Sequence, residues 1–484
     1  MKKYLTVAVV VMLYARFATC HAAPAVDQGA ASHPQSTIHT FGAVGDGIAD
    51  DSEAIQRAVD ASVGQIHLPK GTFRITVPIV IDLEQVGFTS ISGGGVARIV
   101  MAGPGPAFRF VGTHDGTAAP RTVQENVWMR QRAPMIDGIE IVGAHPQACG
   151  IGATGTMQLT LTRVVVRDTL HGIHLTKRNR NVIISECHLY HNRGIGVFLD
   201  RLNLHQINIT GSHISYNAGG GVVARQSEIR NLQIGTCDLE ANMGGHDSAA
   251  TANILLDSTE SSIGEVAIVG CTIQHANNAP NSANIRINGR STPRSHTDEL
   301  RHGNVTIANN ILSDVQTNVE IRNTRAVTIT GNTMWKGYAH NLMIDRCANV
   351  VVASNVFDRN PRYHRSNDAE VKLGLIFTDS TDCTISDNHI QGTGPIPAAV
   401  VLRRCRRMNM TGCTILDYEN CGLLLEGVSD SRFSDCLIRD DRAGAKSVSL
   451  QATGGHGNMI VNNLLGSPPK VDANFGVVRG NVHP

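Results

Sequence analysis

From about residue 157 to the C-terminus, short runs of alternating apolar and polar residues recur with a period near 23, a spacing that marks stacked repeats. The segments "RNVIISECHLYHNRGIGVFLD", "LHQINITGSHISYNAGGGVVAR", "EIRNLQIGTCDLEANM", "RAVTITGNTMWKGYAHNLMID" and "RRMNMTGCTILDYENCGLLLE" share one layout. Each predicts a short strand, a small polar residue, a second short strand, a turn, then Gly or Asn and a third strand. No unit carries the spacing of an amphipathic helix. Such units cannot bury their apolar faces alone. Stacking buries them in one continuous core, so the pattern predicts a parallel β-helix of about twelve coils.

The register of the repeat assigns side chains to columns. Cys187, Cys237, Cys271, Cys413 and Cys436 share one position with Ser212, Asn310, Asn332, Asn355 and Asn388, an interior column with coils about 4.8 Å apart. Asn192, Asn217 and Asn242 form a second column, read as an asparagine ladder. On the third strand, Ile173, Val197, Val222, Ile254, Ile285, Val319 and Leu342 face inward, as do Leu175, Leu199, Ala224, Leu256, Ile287, Ile321 and Ile344. The outward column after them reads Thr176, Asp200, Arg225, Asp257, Asn288, Arg322, Asp345, Thr378, Arg403 and Glu426, and another contains His174, Arg286 and Glu320.

Composition agrees with short strands and tight turns: 48 Gly among 484 residues, with aromatics at 4% and charged residues at 17%. A formal net charge of +1 offers no electrostatic reason to expect nucleic acid or an anionic membrane as partner. Lys2 and Lys3 precede an apolar run from Leu5 to Leu13 and small residues around Ala23, so residues 1–23 read as a secretory signal peptide, too short to span a membrane. Cys20 would be the site of a lipid anchor, but Phe17 stands where such a signal prefers Leu or Val. The expected location is therefore secreted or periplasmic. Residues 24–37 read as a flexible linker, 38–132 as an N-terminal cap with the first coils, and 133–484 as the repeat region. Export permits disulfides, yet the column positions of the cysteines favour reduced, buried thiols.

Ahead of the repeats, "FGAVGDGIADDSEAIQRAVDA" and "GQIHLPKGTFRI" resemble the N-terminal signature of the pectate-lyase-like superfamily, which includes rhamnogalacturonase-like hydrolases, uronan lyases, epimerases and phage tailspikes. The resemblance implies an all-β, single-stranded right-handed parallel β-helix whose open end is capped by a helix. Physically, Asp50 or Asp51 suits an N-cap with Glu53 in the first turn, and Ala54, Ile55, Ala58 and Val59 make one apolar face. The carboxylates of this stretch are thus expected to start a helix rather than to react.

The resemblance implies an acidic, uronic-acid-containing polysaccharide as partner. Few aromatics for stacking on neutral sugars, and Arg and His on the outer strands, suit the same ligand. Long insertions "MGGHDSAAT", "HANNAPNSA" and "RNPRYHRSNDAEVKLG" fall between second and third strands, gathered at one corner where function collects. The candidate catalytic residues are Asp200, Arg225, His246 and Asp257, and the candidate substrate-binding residues are His174, Arg286 and Asp345. Two carboxyls across a scissile bond would serve a glycoside hydrolase. A base with cations neutralising the uronate would serve a lyase. A solvated charge ladder on a non-catalytic glycan-binding or structural protein is the alternative. "GGHGN" (454–458) and Asp440–Asp441 lack the companion elements of a polygalacturonase site, and "LRRCRR" (402–407) reads as a strand-end turn that could also bind an anionic chain. Calcium enters only through the resemblance, since no clustered Asp signature is present.

Overall fold

The computed structural model describes residues 38–117, 119–363 and 371–484. The signal peptide, the linker, Cys20 and part of the third insertion lie outside these residues. Residues 38–484 belong to one compact unit. Its strands join in a single sheet in which every ladder between strands is parallel, each strand pairing with its counterpart one coil on. The predicted inward columns run in register from Ile173 through Val197, Val222, Ile254, Ile285 and Val319 to Leu342. All of these side chains are buried in one core cluster that extends from the cap to the last coils.

The corners show why this sequence coils. Glu186, Gly211, Thr236, Gly270, Asn309, Gly331, Ser354 and Asp387 all have φ between 52° and 68°, and each precedes a member of the interior column. A left-handed residue turns the chain sharply, and for residues other than Gly it costs roughly 1–2 kcal/mol. The following side chain offsets that cost by satisfying backbone groups that strand pairing cannot reach. Asn332 accepts from the Asn310 N–H at 3.0 Å and donates to Ile307 O and Thr330 O. The same bond passes to Asn355 and Asn388. At the cysteine positions the thiol donates to the corresponding carbonyls, as Cys187 does to Leu161 O and Ser185 O, and all ten described cysteines are buried free thiols. Burial pushes the Cys187 and Cys347 thiols up to about 11.

The second ladder is longer than the three predicted asparagines. Asn192 donates to Asn217 (2.8 Å), Asn217 to Asn242 (2.7 Å) and Asn242 to Asn253 (2.8 Å), after which Asn284, Asn318 and Asn341 continue it. At Asn253 the ladder moves from the turn to the start of the third strand. In earlier coils that position is Gly196 or Gly221, where a Cβ would come within 2.9 Å of the ladder amide.

Helix α1 (Ser52–Asp60) caps the first coil with Ala54, Ile55, Ala58 and Val59 buried, as its pattern predicts. The N-cap differs from expectation. Asp51 holds the cap position but its side chain makes no cap bond. Its carboxylate turns back to accept the N–H groups of Val44 (2.6 Å) and Gly45 (3.2 Å). Asp50 binds Ser52 and Thr76, and Asp46 accepts from Ile48 and Ala49. The carboxylates are therefore held in the fold's own bonds: Asp51 fastens the glycine turn, while Asp50 accepts the Ser52 N–H (3.1 Å) at the start of the helix, as one of the two expected N-cap residues. Gly45 is obligatory there, with φ +75° and the Phe73 ring 2.6 Å from any Cβ. Asp51→Ala would remove the acceptor of two partly buried N–H groups, and we expect a loss of about 1–2 kcal/mol in denaturant unfolding.

Candidate functional site: a groove on the outer face of the third strands

The outward column is in register over its whole predicted length, from Thr176 through Asp200, Arg225, Asp257, Asn288, Arg322 and Asp345 to Glu426. The neighbouring outward column is not the polar face expected. Phe198, Val223 and Leu255 stand between His174 and Arg286, and with Ile195, Ala252 and Ala283 they form a separate apolar cluster. The face thus has an apolar floor beside a charged row.

Asp200, Arg225 and Asp257 meet in a cleft of about 470 Å³, together with Phe198, Arg201 and Glu260. Asp200 Oδ2 lies 3.2 Å from His174 Nε2 and 3.0 Å from an Arg201 nitrogen. The His174 ring stacks on Phe198 with centroids 5.0 Å apart. Asp257 Oδ1 accepts from Thr259 N (3.0 Å), Thr259 Oγ1 (2.7 Å) and Asn288 Nδ2 (3.0 Å). Between them Arg225 is exposed, and its guanidinium has no hydrogen bond or ion pair among the described residues. His246 is not brought to this cleft. Its side chain is 91% exposed and its ring nitrogen meets only Asp247, at 3.5 Å. A loop tip in water neither orients nor desolvates an imidazole, so this placement gives it none of the support a base needs.

His171, which the sequence reading passed over, lies behind His174. Its Nδ1 accepts the Ile195 N–H at 3.1 Å. Burial, reinforced by His174, lowers its pKa from 6.5 to about 4. The neutral ring therefore favours the folded state above pH 6.5, and that contribution is lost as pH falls towards 4. Thermal unfolding scans should show a decline in stability across that window that is shallower in His171→Gln.

A second cleft of about 580 Å³ follows on the next coils. Glu320 is held between Arg286 Nε (2.7 Å) and Arg322 Nε (2.6 Å). Arg286 also donates to Thr251 O and Asn281 O, one from each of two insertions, so it straps both loops to the coil. Asp345 is 8% exposed and paired with Arg346 at 2.7 Å. These two candidate substrate-binding residues thus face the protein's own charges. Absent from the sequence reading is His340, which also lines this cleft. Its Nδ1 is buried without a partner, and burial followed by the Lys372 charge lowers its pKa.

The remaining motifs resolve into ladders. Arg403, Arg404, Arg406 and Arg407 pair with Glu426, Asp379, Asp430 and Asp382 respectively, leaving none of the four for an anionic chain. Asp440 and Asp441 pair with Arg442 and Arg439.

Coils of this kind define a right-handed parallel β-helix, here with a pectate-lyase-like N-terminal segment. The model for rhamnogalacturonase A/epimerase, pectate lyase-like proteins matches residues 36–103, the right-handed β-helix region matches 132–279, and the periplasmic copper-binding protein NosD matches 265–477. No curated protein matches the chain. Among solved structures, tailspike protein 3 of bacteriophage CBA120 is 12% identical, with a TM-score of 0.41 over 92% of this chain. The chain spans 61% of that tailspike. The A-module of the Azotobacter vinelandii mannuronan C-5 epimerase AlgE6 is 13% identical over 93% of this chain and 99% of its own, with a TM-score of 0.30. The Streptococcus pneumoniae surface adhesin PfbA is 13% identical over 84% and 93%, with a TM-score of 0.37.

The NosD description implies copper and the pectate-lyase-like resemblance implies calcium. Neither fits: no group of three or more His, Cys, Asp or Glu able to hold a metal ion gathers among the described residues. Within 265–477 the thiols are interior, and His302 Nδ1 is engaged by Ser262 Oγ. No helix of the described residues is long and apolar enough to cross a membrane.

Proposed function

We propose that the chain is an exported β-helix enzyme that hydrolyses an acidic, uronic-acid-containing polysaccharide laid along the outer groove. The observation that carries this reading is Arg225, an unpaired guanidinium in register between two carboxylates. A uronate carboxylate would supply the partner it lacks, in a charge-assisted pair. Two coils separate Asp200 from Asp257, roughly 9–10 Å, near the upper end of the ~6.5–9.5 Å that admits a water in inverting hydrolysis. In this reading the hydrogen-bonded Asp200–His174 pair delivers the proton to the glycosidic oxygen. Asp257, fixed through Oδ1, takes the proton of the attacking water on Oδ2. The apolar floor at Phe198 supports the sugar ring. The N-terminal signal pattern and the periplasmic description of the NosD model support export.

A lyase is the second reading, favoured by one observation: burial keeps His340 neutral beside the Arg286–Glu320–Arg322 cluster, so His340 rather than His246 would be its base. Incubating the purified protein with a panel of uronans separates the readings. Hydrolysis yields reducing ends without absorbance of unsaturated products, whereas elimination yields both. Saturable binding without either product makes the groove a docking surface and ends the enzymatic reading.

A further inference from the structure

A second concave surface lies on a different side of the coils and has different chemistry. Three successive coils place Asn181, Gln206 and Asn231 at left-handed turns, with φ of 54°, 63° and 55°. On the strands that follow, Ile183, Asn208 and Gln233 stand in register. Together they line a cleft of about 400 Å³ whose walls hold five carboxamides and no ionisable side chain.

The amides are poised rather than spent. Gln206, Asn208 and Gln233 make no side-chain hydrogen bond among the described residues, and Asn181 Oδ1 is buried without a donor. Only Asn231 is tied, through Nδ2 to Glu265 at 2.7 Å. The Asp200–Arg225–Asp257 row alternates charges from coil to coil. Here neighbouring coils instead repeat one group that offers a donor and an acceptor side by side. That pairing matches the hydroxyls of a sugar and gives no charge-assisted bond to a carboxylate. The exposed Ile183 side chain supplies an apolar patch for the C–H face of a ring.

We infer that this amide row is a binding site for a neutral, hydroxyl-rich glycan, separate from the charged groove. It would hold the protein on an uncharged polymer while the groove engages another chain.

Calorimetric titration with cello-, xylo-, manno- and malto-hexaose, and with oligogalacturonate, tests this. The proteins compared are the wild type, the triple variant Gln206→Ala, Asn208→Ala, Gln233→Ala, and Arg225→Ala. The three amides are exposed, so circular dichroism and melting of the triple variant should match the wild type. At least one neutral hexaose should bind saturably, at least tenfold more weakly to the triple variant and unchanged to Arg225→Ala. The inference is overturned if no neutral hexaose binds, if the triple variant binds as the wild type does, or if only oligogalacturonate binds. Uronan cleavage, read in parallel, reports on the groove alone, so either proposal can fail without the other.

Discussion

Asn242→Ala should destabilise the coil stack by about 3–6 kcal/mol, the largest effect we expect of any single polar substitution. Asn242 accepts from the Asn217 amide (2.7 Å) and donates to Asn253 Oδ1 (2.8 Å) and Ile214 O (2.6 Å), all out of contact with water. Alanine deletes these bonds and leaves the partners without a replacement, at roughly 1–3 kcal/mol for each buried unsatisfied group. A cavity the size of a carboxamide adds to the loss. Denaturant unfolding followed by circular dichroism measures it. A loss below 1 kcal/mol would mean that water enters the ladder and that its bonds are not continuous.

In the proposed hydrolytic reading, Asp257→Asn should lower kcat on a uronan by about 10²–10⁴-fold, the usual range for removing a positioned acid or base. Asparagine keeps the shape and still accepts from Thr259 and Asn288 at its carbonyl oxygen, so folding is expected to survive. Arg225→Ala should act differently, raising KM for the charged polymer and lowering kcat/KM by about 10²-fold. Because that guanidinium has no hydrogen bond or ion pair among the described residues, its removal should leave stability within about 0.5 kcal/mol. His246→Ala should leave activity unchanged, in keeping with its exposed position. If Asp257→Asn and Arg225→Ala both stay within a few-fold of wild type, the column is a solvated charge ladder and the hydrolytic site is elsewhere.

The two ladders show how far a repeat can be read. Cys187 to Cys436 were assignable to one interior column because every coil crosses that corner with a left-handed residue followed by an inward side chain. The asparagine ladder was legible only as far as Asn242. Its next member, Asn253, comes 11 residues later instead of 25, because the ladder moves to the start of the third strand, and the insertion separates that position from the turn. The same insertions hid what Arg286, a candidate for substrate binding, does in the fold: its bonds to Thr251 and Asn281 exist only once two loops fold back onto the strand. Asp51 was correctly read as structural, but its partners at Val44 and Gly45 depend on how the chain approaches the cap.

By itself the sequence determined the solenoid, its register, its inward and outward columns and the helix that closes its end. Stacking identical coils leaves one spacing and two faces to choose from, and alternation of apolar and polar residues chooses them. Tertiary structure decided which outward residues are spent and which are available. Asp345 and Arg286 are consumed by neighbouring charges, Arg225 is not, His246 points into water, and His171 and His340 are held neutral by burial. Those outcomes depend on loops of unequal length and on side chains from coils tens of residues apart. Hydrogen bonding and desolvation act over a few ångströms, a distance that repeat spacing alone does not specify once insertions interrupt it.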